Sequence, residues 1–164
     1  MSMKCKQTGL AAVELTIITP FIFLLLYMAV DFSRVMGESI VTASAANSAA
    51  GYGSIHVPSL DATMDHNGMK SIAEKDAVGL AANADEETKI VIATERVCRC
   101  YDPNLLKNGG TLPEPTTSAC ATTCSDHKEV YLQTTVTRNF HSFSNHSAIP
   151  ETLVINRSAR LRVQ

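Results

Sequence analysis

Tryptophan is absent from the 164 residues, and Tyr and Phe bring the aromatic share to only 5%. A surface that stacks sugar rings or bases would need more. Charge bias is also missing, because 14 Lys and Arg stand against 16 Asp and Glu for a net charge of −2, with the basic residues dispersed. That excludes the basic stripe that binds phosphate backbones, so nucleic acid is not an expected partner. Catalytic signatures are lacking as well. His56, His66, His127, His141 and His146 are scattered, and no Gly-x-Ser-x-Gly, His-Glu-x-x-His or phosphate-cradling glycine loop occurs. The expectation is a protein that is not an enzyme and uses no cofactor. Roughly 110 residues follow the apolar amino-terminal segment, enough for one small core and no second enzyme-sized domain.

What the chain does have is a long apolar run, from Gly9 to Val30, interrupted by one carboxylate, Glu14. Leu10 to Val30 is about twenty residues, which at about 1.5 Å per residue crosses a hydrocarbon layer of about 30 Å. Pro20 inside it is tolerable in a membrane, where a hydroxyl such as that of Thr16 can satisfy the freed carbonyl. Lys4 and Lys6 precede the run, which places the amino terminus in the cytoplasm and the bulk of the chain outside. An acidic side chain near the centre of a bilayer costs about 3 kcal/mol and less near an interface, so Glu14 asks for a partner.

Gly9, Glu14 at the fifth position after it, the apolar stretch with Pro20, and Asp31-Phe32-Ser33-Arg34 closing that stretch resemble the TadE-like minor pilins of the tight-adherence (Tad or Flp) pilus. The cysteine pairs Cys98-Arg99-Cys100 and Cys120 to Cys124, with Thr-rich strands and a final Arg162-Val163-Gln164, are similar to that family's outer domain. The resemblance implies cleavage by a prepilin peptidase between Gly9 and Leu10. It also implies an inner-membrane single-pass subunit that joins other pilins or pseudopilins and the assembly platform, with a role in pilus assembly and adhesion. Major Flp pilins share the cut site but are much shorter and usually carry Tyr after the glutamate, where this chain has Leu15. The minor class is therefore expected, organised as a leader over 1–9, a transmembrane and extended helix over 10–50, and a periplasmic or extracellular α+β domain over 51–164.

Charge chemistry supports the same cut site. Cleavage would create an amine at Leu10, and Glu14 at i+4 could pair with it or with the amine of a neighbouring subunit, at lower cost in lipid than a lone charge. The carboxylate would also sit near the free amides of the first turn, where the helix dipole favours it. Two other readings compete. An uncleaved signal anchor would make this a bitopic membrane protein presenting a disulfide- or metal-stabilised binding domain. A secretory signal cut at Ala43-Ser44-Ala45 is disfavoured, because that site lies about four turns beyond the apolar core.

From Glu38 to Ala50 small residues prevail, which predicts that the helix continues outward until Gly51-Tyr52-Gly53 stops it. Asp65 or Asn67 would cap a second helix running through Met69, Ile72, Ala73, Ala77, Leu80 and Ala81. Period-two alternation then predicts strands around Ile90 to Cys100, Val130 to Phe140 and Leu153 to Val163, with Pro103 to Thr123 as a loop. The expected fold class is α+β: a long helix packed against a second helix and a three-stranded antiparallel sheet. The sheet edges, the Asn139 to Pro150 loop and the cysteine loop are candidate contact surfaces between subunits.

Cys98, Cys100, Cys120 and Cys124 are expected to form two disulfides, since they lie on the oxidising side and bracket one loop. The Cys98/Cys100 pair bonds internally only with strain, so bridges from that pair to Cys120 and Cys124 are favoured, in either of two pairings. Cys5 would be lost with the leader. A zinc site using these cysteines and His127 is the competing reading, but gaps of one and three residues depart from the two-residue knuckle. No two-residue spacing for a redox dithiol is present.

Overall fold

The uninterrupted helix-forming stretch is realised as one helix, α1 (Thr8–His56), of 49 residues, about 73 Å long at the standard rise. The computed structural model describes residues 8–56, 63–77, 89–142 and 152–163, and the side chains of α1 from Ala12 onward. Pro20 lies within α1. The hydroxyl of Thr16 does not serve the carbonyl that Pro20 leaves free; it donates back one turn to the Ala12 carbonyl at 2.7 Å, as Thr19 does to Leu15 at 2.6 Å. Both polar groups are thus satisfied inside the helix.

The expected stop at Gly51 does not occur, and α1 runs to His56. Gly53 serves packing instead. A Cβ on Gly53 would lie 2.9 Å from the end of Met69 and 3.0 Å from Leu132 Cδ1, so the absent side chain lets α1 approach both its neighbours. Tyr52, next to Gly53, ties α1 to the next element, its hydroxyl donating to Asp65 at 3.1 Å.

Helix α2 (His66–Asp76) begins at Asp65, whose side chain accepts from the Gly68 amide at 2.9 Å, an N-cap of the usual kind. Met69 and Ala73, four apart, are fully buried against α1. The helix ends at Asp76 with Ala77 as its cap, earlier than the apolar periodicity suggested; Leu80 and Ala81 lie outside the described residues. Asp76 turns back to α1, accepting from Ser44 at 2.8 Å and Ser48 at 3.0 Å.

Strands β1 (Val91–Cys100), β2 (Lys128–His141) and β3 (Thr152–Arg162) form one antiparallel sheet in the order β1-β2-β3. Register pairs Ile92 with Val136, Thr134 with Ala159, and Leu132 with Leu161, so these side chains share the inner face. The inner face, with Leu132, Val136, Ile92 and Ala159, closes on Ala45, Ala46, Ala49 and Ala50 of α1. Alanine there allows helix and sheet to pack at short range, where a larger side chain would hold them apart. This is the α+β arrangement expected from the periodicities.

The stretch Pro103 to Thr123 is more ordered than a plain loop. It holds a short helix, α3 (Pro103–Lys107), and a single 3₁₀ turn at Ser118–Cys120. Its local signals are legible: Asp102 accepts from the Asn104 and Leu105 amides, Pro103 starts the first turn, and Gly109 at φ 76° ends it.

Candidate functional site: the apolar helix, its polar clamp and the disulfide loop

Gly9 and Leu10 fall in the first turns of α1, one turn before Glu14. Glu14 is exposed, and its carboxylate has no partner among the described residues. The apolar side chains after it are exposed as well, from Leu15 through Leu24 and Leu26 to Val30. An unpartnered carboxylate on so apolar a surface needs a cation from outside this folded chain, or none of the surface is in lipid.

At Asp31 the environment reverses, since Asp31 is 3% exposed whereas Val30 is 54% exposed. Ser142, at the end of β2, donates to Asp31 Oδ2 at 2.9 Å, and Arg34 stands 3.7 Å from Oδ1 with its guanidinium 5.1 Å from the Phe140 ring centroid. Two turns on, Glu38 Oε2 meets Arg138 Nε at 2.9 Å, both side chains largely buried. Ser39 then accepts from Arg157 of β3, through Nε at 2.9 Å and a terminal nitrogen at 2.6 Å. Asp31, Arg34 and Glu38 recur at three and four residues, so one helix face is pinned to the near end of the sheet. Sequence reasoning saw Asp31 and Arg34 as the end of the apolar run but not as a clamp. The available signal was Arg138 and Arg157 at positions whose strand parity points inward.

At the opposite end, disulfides join Cys98 to Cys120 and Cys100 to Cys124. The pairing is one of the two that sequence left open. With these thiols bonded to each other they offer no thiolates to a metal, and no cluster of three metal-type ligands occurs among the described residues. Thr116 exchanges two backbone bonds with Cys98, at 2.9 and 2.8 Å, so the cysteine loop covers part of the free edge of β1 from within the chain. Of the Asn139 to Pro150 segment, residues 143–150 lie outside the described residues.

On the outer face of the sheet, Glu129 is 4% exposed and receives bonds from Arg99, from Arg162 at 2.9 Å and from the Tyr131 hydroxyl at 2.8 Å. Burial alone would raise its carboxyl pKa, but the bonds from Arg99 and Tyr131 and the charges of Arg99 and Arg162 outweigh burial and hold it below the usual value. The Arg99 guanidinium is pushed up, first by its bond to Glu129. The Tyr131 hydroxyl is raised by burial and then by Glu129. Because Arg99, Glu129 and Arg162 lie on β1, β2 and β3, the network ties the three strands together on this face.

The histidines are dispersed in space too. His56 stacks on Tyr52, His127 stacks on Tyr101, and His66 Nδ1 lies 2.6 Å from Thr94 Oγ1. His141 is half-buried at the end of β2, and His146 lies outside the described residues.

Residues 9–50 match the family model described as TadE-like protein. The match begins at the glycine before the apolar run and ends within α1, so it covers the helix and not the outer domain. No curated protein and no solved structure matches the chain.

Proposed function

We propose, from the premise that the chain is TadE-like over residues 9–50, that it is a minor pilin or pseudopilin of a tight-adherence pilus system. In this reading a prepilin peptidase cuts after Gly9, and the helix from Leu10 remains in the inner membrane with the outer domain on the periplasmic side. The mature subunit then joins other pilins and the assembly platform, in pilus assembly and adhesion. One observation carries the reading: the family match starts at Gly9, directly ahead of an exposed apolar helix that bears the unpartnered Glu14. Cleavage there would supply the missing cation one turn away, as the free amine of Leu10 in the same or a neighbouring subunit.

The amino-terminal sequence of the protein recovered from cells with and without the peptidase tests this. A peptidase-dependent start at Leu10 supports the reading. An intact Met1 or Ser2 in both strains returns the chain to an uncleaved bitopic membrane protein. Glu14→Ala is expected to leave processing intact and to reduce assembly into filaments; normal piliation in that variant would remove the pairing role.

A further inference from the structure

The two edges of the sheet are finished differently. On β1 the cysteine loop supplies Thr116, which exchanges two backbone bonds with Cys98. On β3 nothing among the described residues does the same. Val163 donates to Val130, and the unbroken register from Arg162 to Thr152 carries that parity down the strand. Val154, Asn156 and Ser158 therefore turn their backbone N–H and C=O groups away from β2. Among the described residues only the Asn156 carbonyl finds a partner there, Arg157 at 3.3 Å. Neither proline nor a bulge blunts this edge.

Beneath it a groove of about 330 Å³ lies between α1 and β3, walled by Val35, Met36 and Leu153 and ending at Arg157. Its wall is apolar and open: Met36 is 48% exposed and Leu153 38% exposed. The guanidinium at its end differs from those around it. Arg34, Arg138, Arg99, Arg162 and Arg160 each face a carboxylate, whereas Arg157 is held by the Ser39 hydroxyl and the Asn156 carbonyl. Neutral partners fix its direction and leave its charge uncompensated. Ser39 stands about 13 Å along α1 from Val30, so this end of the groove is approached from water.

We propose that the edge of β3 takes a fourth strand, an extended segment of a partner protein. It pairs antiparallel with Val154 to Ser158, sets alternate apolar side chains into the groove and lays a carboxylate on Arg157. Each requirement comes from a different observation. The unpaired backbone asks for an extended chain, the groove for an apolar side chain at every second position, and the uncompensated guanidinium for an acid. A second copy of this chain pairing through its own β3 is disfavoured by direction. Antiparallel pairing of identical edges has a twofold axis normal to the sheet, and α1 runs alongside β3, meeting Arg157 at Ser39 and Leu161 near Gly51. One α1 would point against the other, whereas helices anchored in one membrane leave it the same way. That exclusion rests on the reading of α1 as membrane-spanning; the pairing itself does not, and it holds whether or not Gly9 is cut.

The full-length protein in lipid nanodiscs is titrated into a fluorescein-labelled peptide, Thr-Glu-Thr-Val-Thr-Val-Thr, whose Glu and Val side chains would face the groove and whose Thr amides would face β3. Fluorescence anisotropy should show saturable binding. Lys in place of Glu in the peptide should weaken it by about tenfold, the scale of turning one partly exposed attraction into a repulsion. Arg157→Glu should reverse that order. N-methylation of the Thr amides should abolish binding, whereas N-methylation of the Val amides should leave it unchanged. Ser158→Pro removes an N–H that faces the free edge, so the head should keep its circular dichroism spectrum and lose the peptide. No saturable binding to wild type, or binding indifferent to the peptide's charge and to the position of its methyl groups, overturns the proposal. So does a dimer of wild type in sedimentation that Ser158→Pro dissolves, which would give the edge to a second copy.

Discussion

The two halves of α1 share one backbone and almost nothing else. Up to Val30 the helix exposes Leu, Ile and Phe on every side, whereas in the outer half one face, at Thr42, Ala45, Ala46, Ala49 and Ala50, is fully buried beneath α2 and the sheet. An all-round apolar helix is stable only in a medium as apolar as itself. A small-faced helix gains from close approach to protein. On the face that meets the head the change begins at Asp31, with the polar clamp, while Phe32, Met36 and Ile40 stay exposed on the other side, so the positions that close the apolar run also fix the head.

The most damaging way to break this contrast is to put a charge in each half. Ala46→Asp places a carboxylate at a fully buried site and is expected to cost more than about 3 kcal/mol. The head should come loose from α1, visible as rapid proteolysis in detergent. Leu24→Asp should leave the detergent-solubilised head as stable as wild type and hinder only membrane retention. Equal destabilisation by the two would erase the distinction between the halves.

Next in size are the bridges. Cys98→Ser with Cys120→Ser opens a loop of sequence separation 22, expected to lower head stability by about 3 kcal/mol. Denaturation midpoints should fall without weakening the Glu38 to Arg138 contact. The clamp ranks below. Glu38→Ala takes one carboxylate from the largely buried Arg138 and should cost about 1–3 kcal/mol, part of it regained in the double variant with Arg138→Ala. No recovery in that cycle would mean that the two side chains are not coupled.

These effects separate what was legible in the chain from what was not. The strands were readable because their inner residues alternate without exception from Val130 to Val136, and the apolar span because no charge interrupts it after Glu14. The helix end was not. Gly51 and Gly53 carry the local signature of a stop, but the role of Gly53 depends on Met69 and Leu132, which only tertiary packing brings near. The second helix was overrun for the opposite reason: the apolar period continues past Ala77, while the cap at Ala77 is a matter of backbone geometry. The clamp escaped notice because Asp31 meets Ser142 across 111 residues, a pairing no local pattern encodes. The disulfide partners were likewise undetermined between two crossings until β1 and the 3₁₀ turn fixed which sulfurs face one another.

A smaller effect depends on pH and lies wholly in the head. Glu129 has a folded pKa below its unfolded value, so its contribution is complete above the unfolded value of about 4.3 and is lost as pH falls through the depressed folded value. Stability of the head should therefore decline below about pH 4. Glu129→Gln should flatten that decline. An unaltered acid transition in the variant would show that other carboxylates govern it. Smallest of all is Leu24→Ala, which in detergent should change the unfolding midpoint of the head by less than about 0.5 kcal/mol equivalent.

The central claim is that α1 changes medium at Asp31, and spin labels placed singly at the exposed positions 24 and 40 in a Cys5→Ser background, with the protein in lipid bilayers, test it most directly. Collision with dissolved oxygen and with a water-soluble nickel complex reports the medium at each site. Position 24 should be reached by oxygen and not by the nickel complex, and position 40 by the nickel complex. Nickel access at 24, or equal nickel access at 24 and 40, would contradict the claim.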